Sequence, residues 1–235
     1  MRFAVFLTGD ASPYTQSTYG SYADLFEDLL RRDGDVWDVF DVREHRYPAS
    51  FEDYDAVLIT GSASDAHGDE SWIARLEAAI REAVAAPTKV LGFCFGHQAL
   101  ANALGGRTGR NSKGWEAGVY RLEFTRQANA HPLLAEIDSL DLLEIHQDHI
   151  LELPPDAEVL AATDATPVQI FVIGDRALGI QGHPEFHNDI VQDLVLARAE
   201  SGVIEGDKAG EFLQRLKREQ DREKLQALIN RFLGR

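Results

Sequence analysis

The sequence predicts an α/β fold of three layers: a mostly parallel central sheet, helices on both faces, and a small antiparallel extension. Three observations lead there. In the first half of the chain, short apolar runs alternate with segments whose apolar residues recur at helical spacing, which is the pattern of right-handed βαβ units. In the second half, five short strand-like runs follow one another with only turns between them, which favours antiparallel pairing. No repeat, low-complexity tract or Gly/Ser/Pro-rich linker divides the chain. Residues 1–235 therefore read as a single domain, with 202–235 a C-terminal helical extension.

Arg2–Thr8 opens the chain as an apolar strand. Tyr19–Arg32 places Tyr22, Leu25, Phe26, Leu29 and Leu30 on one helical face and stops at Asp33-Gly34. Asp35–Val42 alternates in strand fashion, and Ala56–Thr60 is a short buried-type strand ended by Gly61. Trp72–Ala85 is an amphipathic helix closed by Pro87. Lys89–Phe93 is the next strand, and Ala99–Leu104 lies in the helix after it. Val119–Thr125, Asp141–His146, Glu158–Thr163, Val168–Ile173 and Ala177–Gln181 are the five later strands. Asn188–Glu200 and Gly210–Leu233 return to helix. The last carries a stripe of Leu213, Leu216, Leu225, Leu228, Ile229 and Phe232, the signature of a helix packed on the core.

A net charge of −16 argues against a nucleic-acid-binding face and against adhesion to anionic membranes. One cysteine cannot form an intramolecular disulfide. The apolar opening turns polar at Gly9-Asp10, too early for a signal-peptide core, and no window approaches the roughly 20 apolar residues of a membrane span. These features lead to the expectation of a cytoplasmic protein without membrane or nucleic-acid partners.

That cysteine stands in Gly92-Phe93-Cys94-Phe95-Gly96-His97-Gln98, between a strand and a helix. Gly-x-Cys-x-Gly at such a junction is a nucleophile elbow, whose flanking glycines permit a strained turn and close backbone approach. The helix start offers N–H groups and a positive dipole end to a thiolate or an oxyanion. A cysteine nucleophile needs a base, and the base an orienting group. Gly182-His183-Pro184-Glu185 supplies both: residues two apart in extended backbone share a side, so Glu185 can accept the Nδ1–H of His183 and turn Nε2 to the sulfur. The loop Gly61-Ser62-Ala63-Ser64-Asp65 follows a strand, so Gly61 or Ser62 is a candidate oxyanion donor, with the N–H of Phe95 as the second.

With the order of these elements, the chain resembles the class I (triad-type) glutamine amidotransferase domain family over residues 1 to about 200. The resemblance implies a flavodoxin-like sheet. It also implies that Cys94 attacks a γ-carbonyl to form a γ-glutamyl thioester, with His183 as base and acid and Glu185 orienting it. Gln98 would hold the glutamyl head group, and the segment Ile145–His149, with His146 and Gln147, would line the glutamyl pocket. The chain is most similar to stand-alone γ-glutamyl peptidase-like members, through Tyr19-Gly20-Ser21-Tyr22, Gly61–Gly68 with Trp72-Ile73, and Gly179–Phe186. In that comparison Gly182 replaces a bulky residue, which implies more room on the leaving-group side.

The expected activity is thus cysteine-dependent hydrolysis of a γ-glutamyl amide, glutamine or a γ-glutamyl peptide, with no cofactor. His146, Asp148 and His149 have metal-ligand chemistry, but a closed site wants three or four converging ligands, so no metal is expected. Two alternatives stay open: a glutaminase subunit that supplies ammonia to a synthetase partner, and a catalytically silent regulatory module.

Overall fold

The computed structural model describes residues 1–126 and 128–235. In chain order its elements are β1 (Arg2–Leu7), α1 (Pro13–Thr18), α2 (Tyr22–Leu30), β2 (Val36–Asp41), β3 (Ala56–Ile59), α3 (Ser71–Ala85), β4 (Lys89–Phe93) and α4 (Phe95–Ala103). There follow β5 (Arg107–Arg110), β6 (Glu116–Phe124), β7 (Leu140–His146), β8 (Asp148–Glu152), β9 (Glu158–Ala162), β10 (Ile170–Ile173), β11 (Ala177–Ile180), α5 (Asn188–Glu200), α6 (Gly206–Arg215) and α7 (Arg222–Leu233).

Nine strands form one sheet in the order β2-β1-β3-β4-β11-β10-β9-β6-β7, while β5 and β8 pair separately. The run from β2 to β11 is parallel throughout, and β10, β9, β6 and β7 continue it antiparallel. Strand alternation divides the core in two. Phe3, Val5, Leu58, Leu91 and Phe93 face a layer that includes Phe26, Leu29, Leu228 and Ile229 of α2 and α7. Ala4, Phe6, Val57, Ile59 and Val90 face the other, with Leu76 and Ile80 of α3 and Leu100 of α4. A third cluster lies under α5 and α6, where Val119, Leu143 and Ile145 meet Ile190, Val195 and Phe212.

The topology positions the site. Strands β3, β4 and β11 are parallel neighbours, so the segments leaving their carboxyl ends converge at one edge of the sheet. Those segments carry Gly61-Ser62, Cys94 and His183.

Several local readings change. The helix expected over Gly210–Leu233 is two helices, broken where Arg218, Gln220 and Asp221 turn to other partners: the Asp221 N–H donates to the Asp141 carbonyl at 2.9 Å and Arg218 pairs with Asp141. The stripe is divided by the break: Leu225, Leu228, Ile229 and Phe232 of α7 are buried, whereas Leu213 and Leu216 are half-buried and α6 buries Ala209 and Phe212 instead. The helix expected from Tyr19 starts at Tyr22, where Ser21 and Asp24 form a reciprocal capping box. Helix α1 has no apolar periodicity to announce it; Ser12 caps it and Pro13 begins it. The segment Ile145–His149 is the end of β7 and the start of β8 with Gln147 between them.

Candidate active site

Cys94 sits between β4 and α4 with φ 51° and ψ −105°, a strained conformation for a residue with a side chain. Its N–H donates to the Ile180 carbonyl at 3.0 Å, which ties the elbow to β11. The flanking glycines are required by approach distance. A Cβ on Gly92 would strike the carbonyl of Gly96, and one on Gly96 would strike the carbonyl of Ile59. The Gly96 N–H in turn donates to the Thr60 carbonyl at 3.2 Å, so the elbow is stitched to β4's two neighbours.

His183 and Glu185 meet as expected, the Nδ1–H donating to Oε1 at 2.8 Å with both residues buried. The backbone that brings them together is a turn, closed by the Phe186 N–H on the His183 carbonyl, rather than extended chain. The imidazole lies flat on Phe186, centroids 4.0 Å apart and planes 9° apart, which fixes its orientation. Burial opposes a charge on His183, but Glu185 and the adjacent Cys94 outweigh it and push its pKa up to about 10. These surroundings favour a proton on the imidazole.

The segment is also held from behind by residues that no local motif marks. The Gln220 amide donates to the carbonyls of Phe186 at 2.8 Å and His183 at 3.3 Å. Arg222 donates to those of Pro184 at 3.1 Å and Glu185 at 3.0 Å.

The Gly61 carbonyl accepts from the Thr8 hydroxyl at 2.9 Å, which fixes the Gly61–Ser62 peptide and puts the Ser62 N–H on its opposite edge. A Cβ on Gly61 would lie 3.0 Å from His183 Cε1, so any larger residue there would press on the imidazole. Ser62, Cys94, Phe95, Gln98, His146 and Gln147 all line one cavity of about 80 Å³. Gln98 is anchored there, its amide donating to the Asp148 carbonyl at 2.9 Å and to Gln181 Oε1 at 3.2 Å. His146 reaches the cavity wall with both ring nitrogens engaged: Nδ1 with the Asp148 carbonyl at 3.0 Å, and Nε2 with Glu144 at 3.4 Å and Glu116 at 3.5 Å. Its contribution to the wall is the ring edge. The elbow's His97 is fully buried against Phe171, and burial pushes its pKa down to about 3; it is a neutral core residue.

The buried array Glu116–His146–Glu144 escaped sequence reading because its residues lie on paired strands far apart in the chain. Burial pushes Glu144 up to about 7 against the pull of His146, and the two carboxylates overcome burial to push His146 up to about 10. Glu144 therefore contributes stability that is complete below about 4.5 and is lost as pH rises through 7. Urea unfolding is expected to show wild-type stability declining over that window, and Glu144→Gln should flatten the decline.

One local expectation is corrected. Gly182 leaves no room for a leaving group: a Cβ there would lie 2.6 Å from Leu142 Cγ and 2.7 Å from Glu144 Oε1, so those side chains fill the space. Outside the cavity, Tyr14 and Tyr19 both donate to Asp189, at 2.6 and 2.7 Å, and Asp10 pairs with Arg43. Of the weighed metal ligands, Asp148 groups instead with Asp65 and His67, and Arg110 contacts both aspartates.

These features define a class: a parallel-sheet α/β protein with a cysteine elbow and an acid-paired imidazole at the carboxyl edge of adjacent strands. The chain belongs to the class-I glutamine amidotransferase family, whose model matches residues 25–198. It is 35% identical to γ-glutamyl peptidase 5 of Arabidopsis thaliana, covering 99% of this chain and 95% of that one. It is 32% identical to a glutamine-hydrolyzing GMP synthase subunit of Pyrococcus abyssi, over only 45% of this chain and 56% of that one. In fold it matches the crystal structure of a glutamine amidotransferase from Thermotoga maritima, with a TM-score of 0.79, 22% identity, and 100% and 99% of the two chains covered.

Proposed function

We propose that this protein is a cysteine-dependent hydrolase of γ-glutamyl amides, with Cys94, His183 and Glu185 as its catalytic residues. The observation that carries the reading is the buried His183–Glu185 pair set against the only cysteine at a strained elbow. His183 takes the thiol proton, and Sγ attacks the γ-carbonyl carbon. The N–H groups of Phe95 and Ser62 receive the oxyanion, Phe95 at the positive end of α4. His183 then gives its proton to the leaving nitrogen as the C–N bond breaks, which leaves a γ-glutamyl thioester. Water attacks that thioester, again through His183, releasing glutamate and restoring the thiol. Gln98 and Gln147 hold the glutamyl head group beside the ring edge of His146.

A peptide-type substrate is favoured over service to a synthetase because the likeness to the peptidase spans nearly the whole chain. The likeness to the GMP synthase component spans under half of it. We place the protein in the cytoplasm, on its charge and lone cysteine; among the described residues, no helix is long and apolar enough to cross a membrane.

The test is glutamate release by the purified chain, offered glutamine in one series and γ-glutamyl dipeptides in another. Turnover of the dipeptides is expected. Silence until a synthetase is added would move the assignment to an ammonia-supplying subunit, and silence throughout to a regulatory module. Glu185→Gln is expected to lower kcat by on the order of 10³ to 10⁴, because the amide no longer enforces the imidazole's tautomer or balances the imidazolium charge. Steady-state kinetics on the same dipeptides read this directly.

A further inference from the structure

The cavity at Cys94 contains a cation whose charge no acid of the described chain answers. Arg198, on α5, is half-buried, and it lines this cavity together with Trp115, Gln147 and Ser62. Its Nη1 donates to the Leu194 carbonyl one turn back at 3.2 Å, and its guanidinium carbon lies 5.5 Å from the centroid of the Trp115 ring. Among the described residues no carboxylate comes within ion-pair distance of it. Two acids of its own helix are engaged elsewhere: Asp189 accepts from Tyr14 and Tyr19, and Asp193 from Ser12; the third, Glu200, is exposed at the end of α5 and forms no ion pair with Arg198 among the described residues. Arg110, the other cation of the cavity, faces Asp65 and Asp148. A chain with 39 acidic and 23 basic residues thus keeps one guanidinium unmatched beside its nucleophile. Half-burying a charge costs free energy unless a partner arrives, and here the partner has to come with the ligand.

A γ-glutamyl substrate brings such a partner. Its glutamyl group has an α-carboxylate, and a peptide leaving group ends in a second one. The cavity at the thiol, about 80 Å³, is too small for a whole peptide. Trp115 and Gln147 also wall a larger cavity of about 700 Å³, bounded by α6, β6 and residues 163–165. Arg198 lines the small cavity and packs on Trp115, the residue that walls both spaces. We propose that Arg198, seated on Trp115, docks the C-terminal carboxylate of the leaving group, so that the site selects γ-glutamyl peptides with a free acid end. This rests on the γ-glutamyl hydrolase reading above and names the group that would give it specificity.

The experiment compares wild type, Arg198→Gln and Arg198→Lys on γ-glutamylalanine, γ-glutamylalanine amide and γ-glutamyl-p-nitroanilide. Binding of the first two to the Cys94→Ala chain, with and without Arg198→Gln, is measured by calorimetry. Arg198→Gln is expected to lower kcat/KM on the free-acid peptide by about tenfold to a hundredfold, the range for one charge-assisted hydrogen-bonded contact, mainly through KM. The amide and the anilide should change little, and Arg198→Lys should restore part of the loss. The rate of Cys94 alkylation by iodoacetamide should be unchanged. An equal loss on all three substrates would assign Arg198 to the α-carboxylate and overturn the proposal. A changed alkylation rate with no substrate discrimination would overturn it in favour of an effect on the thiol. Absence of turnover in wild type would sink the hydrolase reading, while calorimetry would still decide the docking site: acid-selective binding lost with Arg198→Gln supports it, and binding indifferent to Arg198 removes it.

Discussion

Cys94→Ala is expected to abolish γ-glutamyl hydrolysis, with kcat falling by on the order of 10⁵ or more, the scale seen when a covalent nucleophile is deleted from a cooperating triad. The loss should be confined to chemistry. Cys94 is buried beside His183 and Gly61, and alanine fills the same backbone slot without a new clash, so thermal unfolding should move little. With the thiol gone, no glutamyl adduct should be recovered by mass spectrometry from acid-quenched reactions, whereas wild type should yield one. Retained turnover in Cys94→Ala would place the nucleophile elsewhere and remove the basis of the mechanism.

Gly96→Ala should act on the fold as well as on the site. The added methyl meets the carbonyl of Ile59 and lies 2.9 Å from Ile59 Cβ, and that residue belongs to a fully buried central strand. Neither atom can move without shifting β3 or lifting α4. Ordinary overpacking costs roughly 1–3 kcal/mol. A collision with the backbone of a fully buried strand should exceed about 4 kcal/mol, a large part of the 5–15 kcal/mol typical of a whole protein. The melting temperature is then expected to fall by roughly 10 °C or more, with activity lost in parallel. Gly210→Ala is the matched control: nothing lies within 4 Å of the added methyl in α6, so helix propensity should raise stability by about 0.5–1 kcal/mol. A small effect at Gly96 would mean that the elbow is not packed against the end of β3 as described.

The parts of the site that are legible in the sequence are those in which chemistry and geometry share a short stretch of chain. Gly92–Gly96 carries its own turn requirement, and His183 and Glu185 are close enough in sequence to be bound to meet. Their alignment with Gly61 follows from three neighbouring parallel strands, which alternating strand and helix signals already imply. What stays hidden depends on strand register and tertiary contact. Glu116 is the register partner of His146, with Glu144 two positions back along β7, yet nothing in the spacing of 116, 144 and 146 announces a shared array. Arg198 reads as one more polar position on a helix until Trp115 is placed beneath it. Gly182 misleads for the same reason: its missing side chain matters to Leu142 and Glu144, which approach from another strand.

The hydrogen bonds from Gln220 and Arg222 to the carbonyls of residues 183–186 bear on where this catalytic unit could be cut. The family's match ends at residue 198, so a transplant or fusion designed to that boundary would keep every residue of the proposed triad and discard the clasp behind two of them. The smallest portable unit for engineering is therefore set by the last contact made to the histidine loop, not by the last residue that resembles a relative.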